Sequence, residues 1–282
     1  MVAERIPTDM RIVVTVLLFT SIKFLACSQM ISGKIVNEAN GNPLEFVSVG
    51  VISLNIGTVS DEKGFFNIDL KDVSPTAQVR VSMIGFVAQT FSVKDLLKKD
   101  NLVRLNEQVI DLNEVVVKAS QTKRKVLGTK SSTRFIVTGW GGYGTGGERG
   151  IKIEVNNQPI FVEKLNFHVA VNTFDSLLLR LHIRNIKNGV PKNELLPDNI
   201  LTKVISTGWF EINLEKYNLS YNQDIAVSLE WVKAWGKKKG LENNFRLSLN
   251  YFKGTLYGKE ASEANWSVFK HKSPGIYLTI QE

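Results

Sequence analysis

The sequence predicts an all-β protein: two antiparallel β-sandwiches in tandem behind an export signal. Three observations predict it. Apolar and polar residues alternate with period two in many short runs. Clusters of Gly, Asn, Asp and Pro separate those runs as turns. Arg11 precedes an apolar stretch from Ile12 to Ile22, the pattern of a signal h-region.

Residues 1–28 are assigned to that signal, whose apolar stretch is too short to cross a bilayer comfortably. Met10 is an alternative start. Two processing routes are open. Ala26 and Ser28 suit cleavage before Gln29, which gives an exported protein without an anchor. Alternatively, Leu25-Ala26-Cys27 resembles the end of a lipobox, which makes Cys27 a lipidation site and ties the protein to the outer membrane. Phe24 and Lys23 depart from that pattern. Either route places the protein in the periplasm or at the outer-membrane surface, with no transmembrane domain in the mature chain.

A chain of 282 residues is long enough for two domains, and 43% hydrophobic with 22% charged residues is a globular balance. Cys27 is the only cysteine, so the folded part has no disulfide, thiolate nucleophile or cysteine metal site. The net charge of +8 sits in the second half: residues 121–282 hold 23 Lys and Arg against 14 Asp and Glu. Such a surplus suits anionic material such as acidic glycans or lipid head groups, or a merely soluble basic surface.

Residues 29–118 form the first expected sandwich. Val47, Val49 and Val51 share one face, with Phe46, Ser48 and Gly50 on the other. Phe66, Ile68 and Leu70 alternate with Asn67 and Asp69, and Val79, Val81 and Met83 with Arg80 and Ser82. About seven strands fit these residues, with one short helical turn between Val93 and Lys99. Asp61-Glu62-Lys63-Gly64 is a tight turn in which Asp bonds its own backbone and Gly supplies positive φ.

Gly33, Pro43-Leu44, Thr58 through Asp61 to Gly64-Phe65-Phe66, Ile84-Gly85-Phe86 and Leu112 through Val117 carry a resemblance to the carboxypeptidase-regulatory-like domain. The resemblance implies a prealbumin-like β-sandwich of the bacterial envelope that binds or supports rather than reacts. No His-x-x-Glu or His-Glu-x-x-His pair occurs, so the zinc chemistry of the enzymes that carry such domains is not expected. Similar domains precede outer-membrane receptors, but about 165 residues beyond this one are too few for a large barrel.

Residues 119–134 are polar and basic and read as a linker. Residues 135–282 form the second sandwich. Leu165, Phe167, Val169 and Val171 alternate with Asn166, His168 and Ala170. Leu177 through Ile183 and Ile225 through Trp231 alternate likewise. Further strands are expected at 135–137, 151–155, 210–214, 245–251, 266–269 and 276–280, about nine in all. This half is similar in layout to the jelly-roll modules that follow regulatory-like domains, and jelly rolls host many glycan-binding modules.

Gly142-Tyr143-Gly144-Thr145-Gly146-Gly147 has the letters of a dinucleotide fingerprint. A strand follows it instead of a helix, so a mobile loop or a close-approach loop for a ligand is the expectation. Trp231 and Trp266 are expected in the core. Trp140, Trp209 and Trp235 are candidate platforms for a sugar ring, or caps on their own core. Lys233, Lys237, Lys238 and Lys239 surround Trp235. They suit an anionic glycan, or a solvated loop tip that blocks edge pairing. Trp140, Tyr143, Trp209, Trp235, Lys237 and Lys238 therefore make up the candidate ligand-binding set. His168 and His182 fall on outward strand positions with no acidic residue spaced to orient them as bases.

These observations point to a non-enzymatic exported module of the cell envelope that binds glycan or another envelope protein, with no catalytic residue, metal or cofactor. Export argues against nucleic acid as a partner. The alternative is a glycan-processing enzyme whose carboxylates meet on the face of the second sandwich.

Overall fold

The computed structural model describes residues 29–97, 101–108, 123–140, 145–156, 158–236 and 244–282. The export signal, Cys27, residues 112–117, Tyr143, Lys237 and Lys238 lie outside the described residues.

Among the described residues, the first domain is a sandwich of seven strands. One layer has the order β4 (Phe65–Asp69), β1 (Met30–Asn37), β7 (Asn101–Leu105). The other has the order β3 (Gly57–Val59), β2 (Ser48–Val51), β5 (Gln78–Ser82), β6 (Gln89–Ser92). The pairings are antiparallel except that of β1 with β7, which run parallel. Val49, Val51, Val79 and Val81 from one layer meet Ile31, Ile35, Phe66 and Ile68 from the other, and all are buried. The one helix described, α1 (Val93–Leu96), is capped by Ser92, whose hydroxyl accepts from Asp95 N. At the 61–64 turn, Asp61 Oδ1 accepts from Lys63 N at 2.9 Å and Phe65 N at 2.8 Å. Gly64 there adopts φ +78, which a side chain would resist.

The second domain is built from β8 (Arg124–Gly128), β9 (Val137–Gly139), β10 (Glu148–Ile153), β11 (Ile160–Asn172), β12 (Ser176–Lys187), β13 (Val190–Glu194), β14 (Leu201–Val204), β15 (Gly208–Asn213), β16 (Ser220–Tyr221), β17 (Ile225–Trp235), β18 (Phe245–Lys259), β19 (Ser267–Pro274) and β20 (Ile276–Gln281). One layer runs β13-β12-β17-β10-β18, and the other runs β18-β11-β20-β8. The 15-residue β18 serves both. Its start pairs with β9 and β11, and its end with β10. Leu177, Leu179, Leu181, Val227 and Leu229 pack from the first layer against Leu165, Phe167, Val169, Leu278 and Ile280 from the second.

The sequence reading needs correction in three places. Residues 124–128, read as linker, form β8 and pair with β20 from Tyr277↔Gly128 to Gln281↔Arg124. Their exposed basic residues belong to an edge strand, where one-sided burial weakens the alternation signal. Thirteen strands are described where nine were expected, because short edge strands carry little periodicity. The outer face of β2 is also buried, so Ser48 and Gly50 are not solvated as alternation implies. That face packs on the second domain. No helix among the described residues is long and apolar enough to cross a membrane.

Candidate functional site

Three neighbouring strands of the second domain turn charged side chains away from the core. On β12, Arg180, His182 and Arg184 alternate with the core residues Leu181 and Ile183. β17 contributes Ser228 and Glu230, and β10 contributes Glu148. Glu148 stands directly opposite Glu230 in the β10–β17 register, a like-charge pair that would repel if left alone. Cations resolve it. Arg184 Nη1 donates to Glu148 Oε2 at 2.5 Å, and Lys259 Nζ donates to Glu148 Oε1 at 2.8 Å. Arg180 Nη1 donates to Glu230 Oε2 at 2.8 Å.

His182 lies between two carboxylates. Its Nδ1 is 2.6 Å from Glu194 Oε2, and its Nε2 is 2.9 Å from Glu230 Oε2. Carboxylates accept, so both ring nitrogens must donate and the ring is an imidazolium. Burial alone would lower the pKa of His182. The Arg184 charge acts the same way, but Glu148 and Glu194 outweigh both and hold it above its ordinary value. Burial likewise acts to raise the three carboxylates, and the cations overcome it. Arg180 and His182 bring Glu230 down to about 2. Arg184, His182 and Lys259 hold Glu148 well below its usual range, and His182 and Arg184 do the same for Glu194. All three carboxylates are therefore ionised.

The first domain closes the cluster. Ser48 Oγ donates to Glu230 Oε1 at 2.9 Å and accepts from Arg180 Nη1 at 3.1 Å. Arg180 Nη2 donates to the Phe46 carbonyl, and Phe46 holds the left-handed φ of 59 that presents this oxygen. Arg180 is 1% exposed. A Cβ on Gly50 would lie 2.1 Å from the Ser262 carbonyl oxygen, so only glycine allows β2 this close to the β18–β19 connection. Glu263 in that connection accepts from Arg80 and Ser82 of β5 at 3.1 and 3.0 Å.

Beside this cluster a cavity of about 880 Å³ runs between the domains. Its walls include Met83, Ile84 and Phe86 of the first domain and Arg184, Glu194 and Trp266 of the second. Trp266 is corrected here: expected in the core, it is half-buried and lies against cations instead. Arg184 sits 5.6 Å and Lys259 Nζ 5.1 Å from its ring. Among the described residues, no group of three His, Cys, Asp or Glu is arranged to hold a metal ion. The cations of Arg180, Arg184 and Lys259 occupy the places where an ion would neutralise these carboxylates.

The tryptophans singled out in the sequence are not brought together at this cavity. Trp140 donates from Nε1 to the Gly147 carbonyl at 2.8 Å and packs on Trp231 and Phe245. Trp209 is 42% exposed and stands edge-on to His168 and Tyr277. Trp235 is half-buried between Lys203 and Lys233, and Lys233 also pairs with Glu62 of the first domain at 2.5 Å. The described end of the glycine loop is packed, with Gly146 against Ser262, and β10 follows it in place of a phosphate-holding helix. His168 and His182 are buried, not outward in solvent, because segments distant in sequence cover them. His168 Nδ1 lies 2.7 Å from Ser248 Oγ. The acidic partners of His182 stand 12 and 48 residues away, beyond any local spacing rule. The alternating Arg180, His182 and Arg184 of β12, with Glu230 on the matching face of β17, were the available signal.

The architecture is a pair of β-sandwiches joined by buried charge. Residues 31–117 match the family of the CarboxypepD_reg-like domain, which accounts for the first sandwich. No curated protein matches the chain. Among solved structures, the chain is similar over 89% of its length to infectious bursal virus derived T=1 particles, at 10% identity and a TM-score of 0.19, covering 60% of that chain. A second similarity, to infectious bursal disease virus Gx strain, has 8% identity and a TM-score of 0.18, covering 92% of this chain and 65% of that one. The chain thus spans less than two thirds of either viral chain.

Proposed function

We propose that this is a non-enzymatic, exported binding module of the cell envelope, in which a jelly-roll-like second sandwich carries the ligand site and the regulatory-like domain forms one wall of it. The ligand is a glycan or a segment of another envelope protein, held in the cavity between the domains. The observation that carries this reading is the saturation of the charge cluster. Each of its carboxylates is ionised and already hydrogen-bonded by Arg, Lys, His or Ser. Such a cluster fixes two domains rigidly and leaves a preformed cavity, which lowers the ordering cost of binding. Trp266 at the wall offers an aromatic face of the kind that stacks on a sugar ring.

A glycan-processing enzyme is the second reading, favoured by the Glu194–His182–Glu230 chain beside the cavity. Glycoside hydrolysis needs one carboxyl kept protonated as the general acid, hence with a raised pKa. All three here are held low. Binding therefore stands ahead of hydrolysis.

A glycan array probed with the full chain and with Trp266→Ala, Trp209→Ala and Trp235→Ala tests both readings. Binding that is lost in Trp266→Ala alone supports the cavity. Binding that survives in it moves the ligand elsewhere. Turnover of any glycan that disappears in Glu194→Gln would replace the binding module by the enzyme.

A further inference from the structure

The β18–β19 hairpin carries an irregularity that the interdomain cavity does not use. The register steps from Tyr251↔Lys272 to Thr255↔Lys270, so Phe252, Lys253 and Gly254 bulge out opposite His271. Phe252 holds φ +94 and His271 φ +61. A bulky residue in that region is strained, and such strain persists only where the surrounding structure imposes it. Its effect is to push the Phe252 side chain into solvent, where it is 90% exposed.

Phe252 is not isolated. Its ring lies 6.4 Å from that of Tyr251, and Lys272 Nζ sits 4.9 Å over Tyr251 and 5.8 Å over Phe269. Tyr251 and Phe269 are themselves exposed. Three aromatic rings are thus gathered with Lys272, beside Lys253 and Lys270 on the same two strands. No Asp or Glu occurs from residue 243 to 259 or from 264 to 281, so the two strands bear positive charge only. Among the described residues, none of the three lysines forms an ion pair.

We propose that this bulge docks the protein on an anionic lipid bilayer. The lysines engage anionic head groups, and Phe252, flanked by Tyr251 and Phe269, enters the interfacial layer. Aromatic rings favour that depth, where one end meets hydrocarbon and the other meets water. Charge complementarity selects this occupant, since unpaired lysines around a protruding apolar tip match a surface that is anionic outside and apolar beneath.

The test uses the chain from Gln29 onward, so that neither an acyl chain on Cys27 nor the apolar Ile12–Ile22 stretch contributes to binding. Partitioning is measured by flotation with vesicles of phosphatidylcholine alone and with added phosphatidylglycerol. Binding is expected only with phosphatidylglycerol. Phe252→Ser should weaken it about tenfold, and Lys253→Glu with Lys270→Glu and Lys272→Glu should weaken it about a hundredfold or more. Phe252, Lys253 and Lys270 are exposed and Lys272 is half-buried, and an unchanged melting temperature verifies that the variants fold. Equal partitioning to both vesicle types, or no loss in Phe252→Ser, would overturn the proposal. Equally strong binding to a soluble polyanion that ignores Phe252→Ser would assign the lysines to an anionic polymer instead. Trp266→Ala should leave vesicle binding unchanged, which separates this surface from the cavity.

Discussion

Arg180 on β12 of the second sandwich donates a hydrogen bond to the main-chain carbonyl of Phe46 in the first. Through the same guanidinium it reaches Ser48 of the first domain and Glu230 of its own. One buried side chain therefore ties the two domains together through residues 134 positions apart in sequence.

Arg180→Ala removes the cation and leaves Glu230 buried with one partner fewer. Breaking a buried pair on one side costs about 3–5 kcal/mol, because the remaining charge loses its compensation. Calorimetry is expected to show one cooperative transition in the wild type and two in the variant. Replacing both members, as Arg180→Met with Glu230→Gln, should recover part of the stability, since no buried carboxylate is left uncompensated and the glutamine amide oxygen can still accept from His182 Nε2. A variant that melts like the wild type would show that the domains are held elsewhere.

The proton on His182 gives the fold a pH limit. Its folded pKa lies above the unfolded value, so its contribution is complete below the unfolded pKa and is lost as pH rises through the folded one. Glu230 behaves oppositely. Its folded pKa is lowered to about 2, so its contribution is present above the ordinary carboxylate range and is lost as pH falls toward 2. Melting temperature should therefore fall as pH rises through the raised pKa of His182, and His182→Gln should abolish that loss. Persistence of the same slope in His182→Gln would place the titrating group elsewhere.

Gly50 sets how closely the domains approach. Gly50→Ala puts a methyl group against the Ser262 carbonyl oxygen, a main-chain atom that cannot rotate away. Overpacking of this kind costs about 1–3 kcal/mol. The first domain can keep its fold while it separates from the second, so the expected signature is faster proteolysis between the domains. No change in proteolysis would mean that the interface adjusts without loss.

Trp140 and Trp209 should separate in a stability assay. Trp140→Ala removes a ring packed on Trp231 and Phe245 together with its bond to Gly147. The expected cost is about 3 kcal/mol or more. Trp209→Ala empties a site already open to water and should cost about 1 kcal/mol. Chemical denaturation measures both, and equal losses would contradict the distinction drawn between them.

Much of the fold was legible because strand alternation is local. Leu177, Leu179, Leu181 and Ile183 face one core in sequence and in structure, and the Asp61–Gly64 turn follows from its own residues. The site was far less legible. Ser48, Arg180, His182 and Glu230 are ordinary outward positions spread over three strands, β2, β12 and β17, and Trp266 has the local pattern of a core residue. Residues 124–128 lacked a readable period because an edge strand buries little.

By itself the sequence determined the all-β class, the regulatory-like first domain and the position of the main strands. Each rests on side chains a few residues apart. Only the tertiary structure decided that the outer faces of β2 and β12 meet. A pleated strand always has a second face, and whether water or another domain covers it depends on segments far away in the chain. That contact turned a row of polar residues into a buried, ionised cluster beside a cavity.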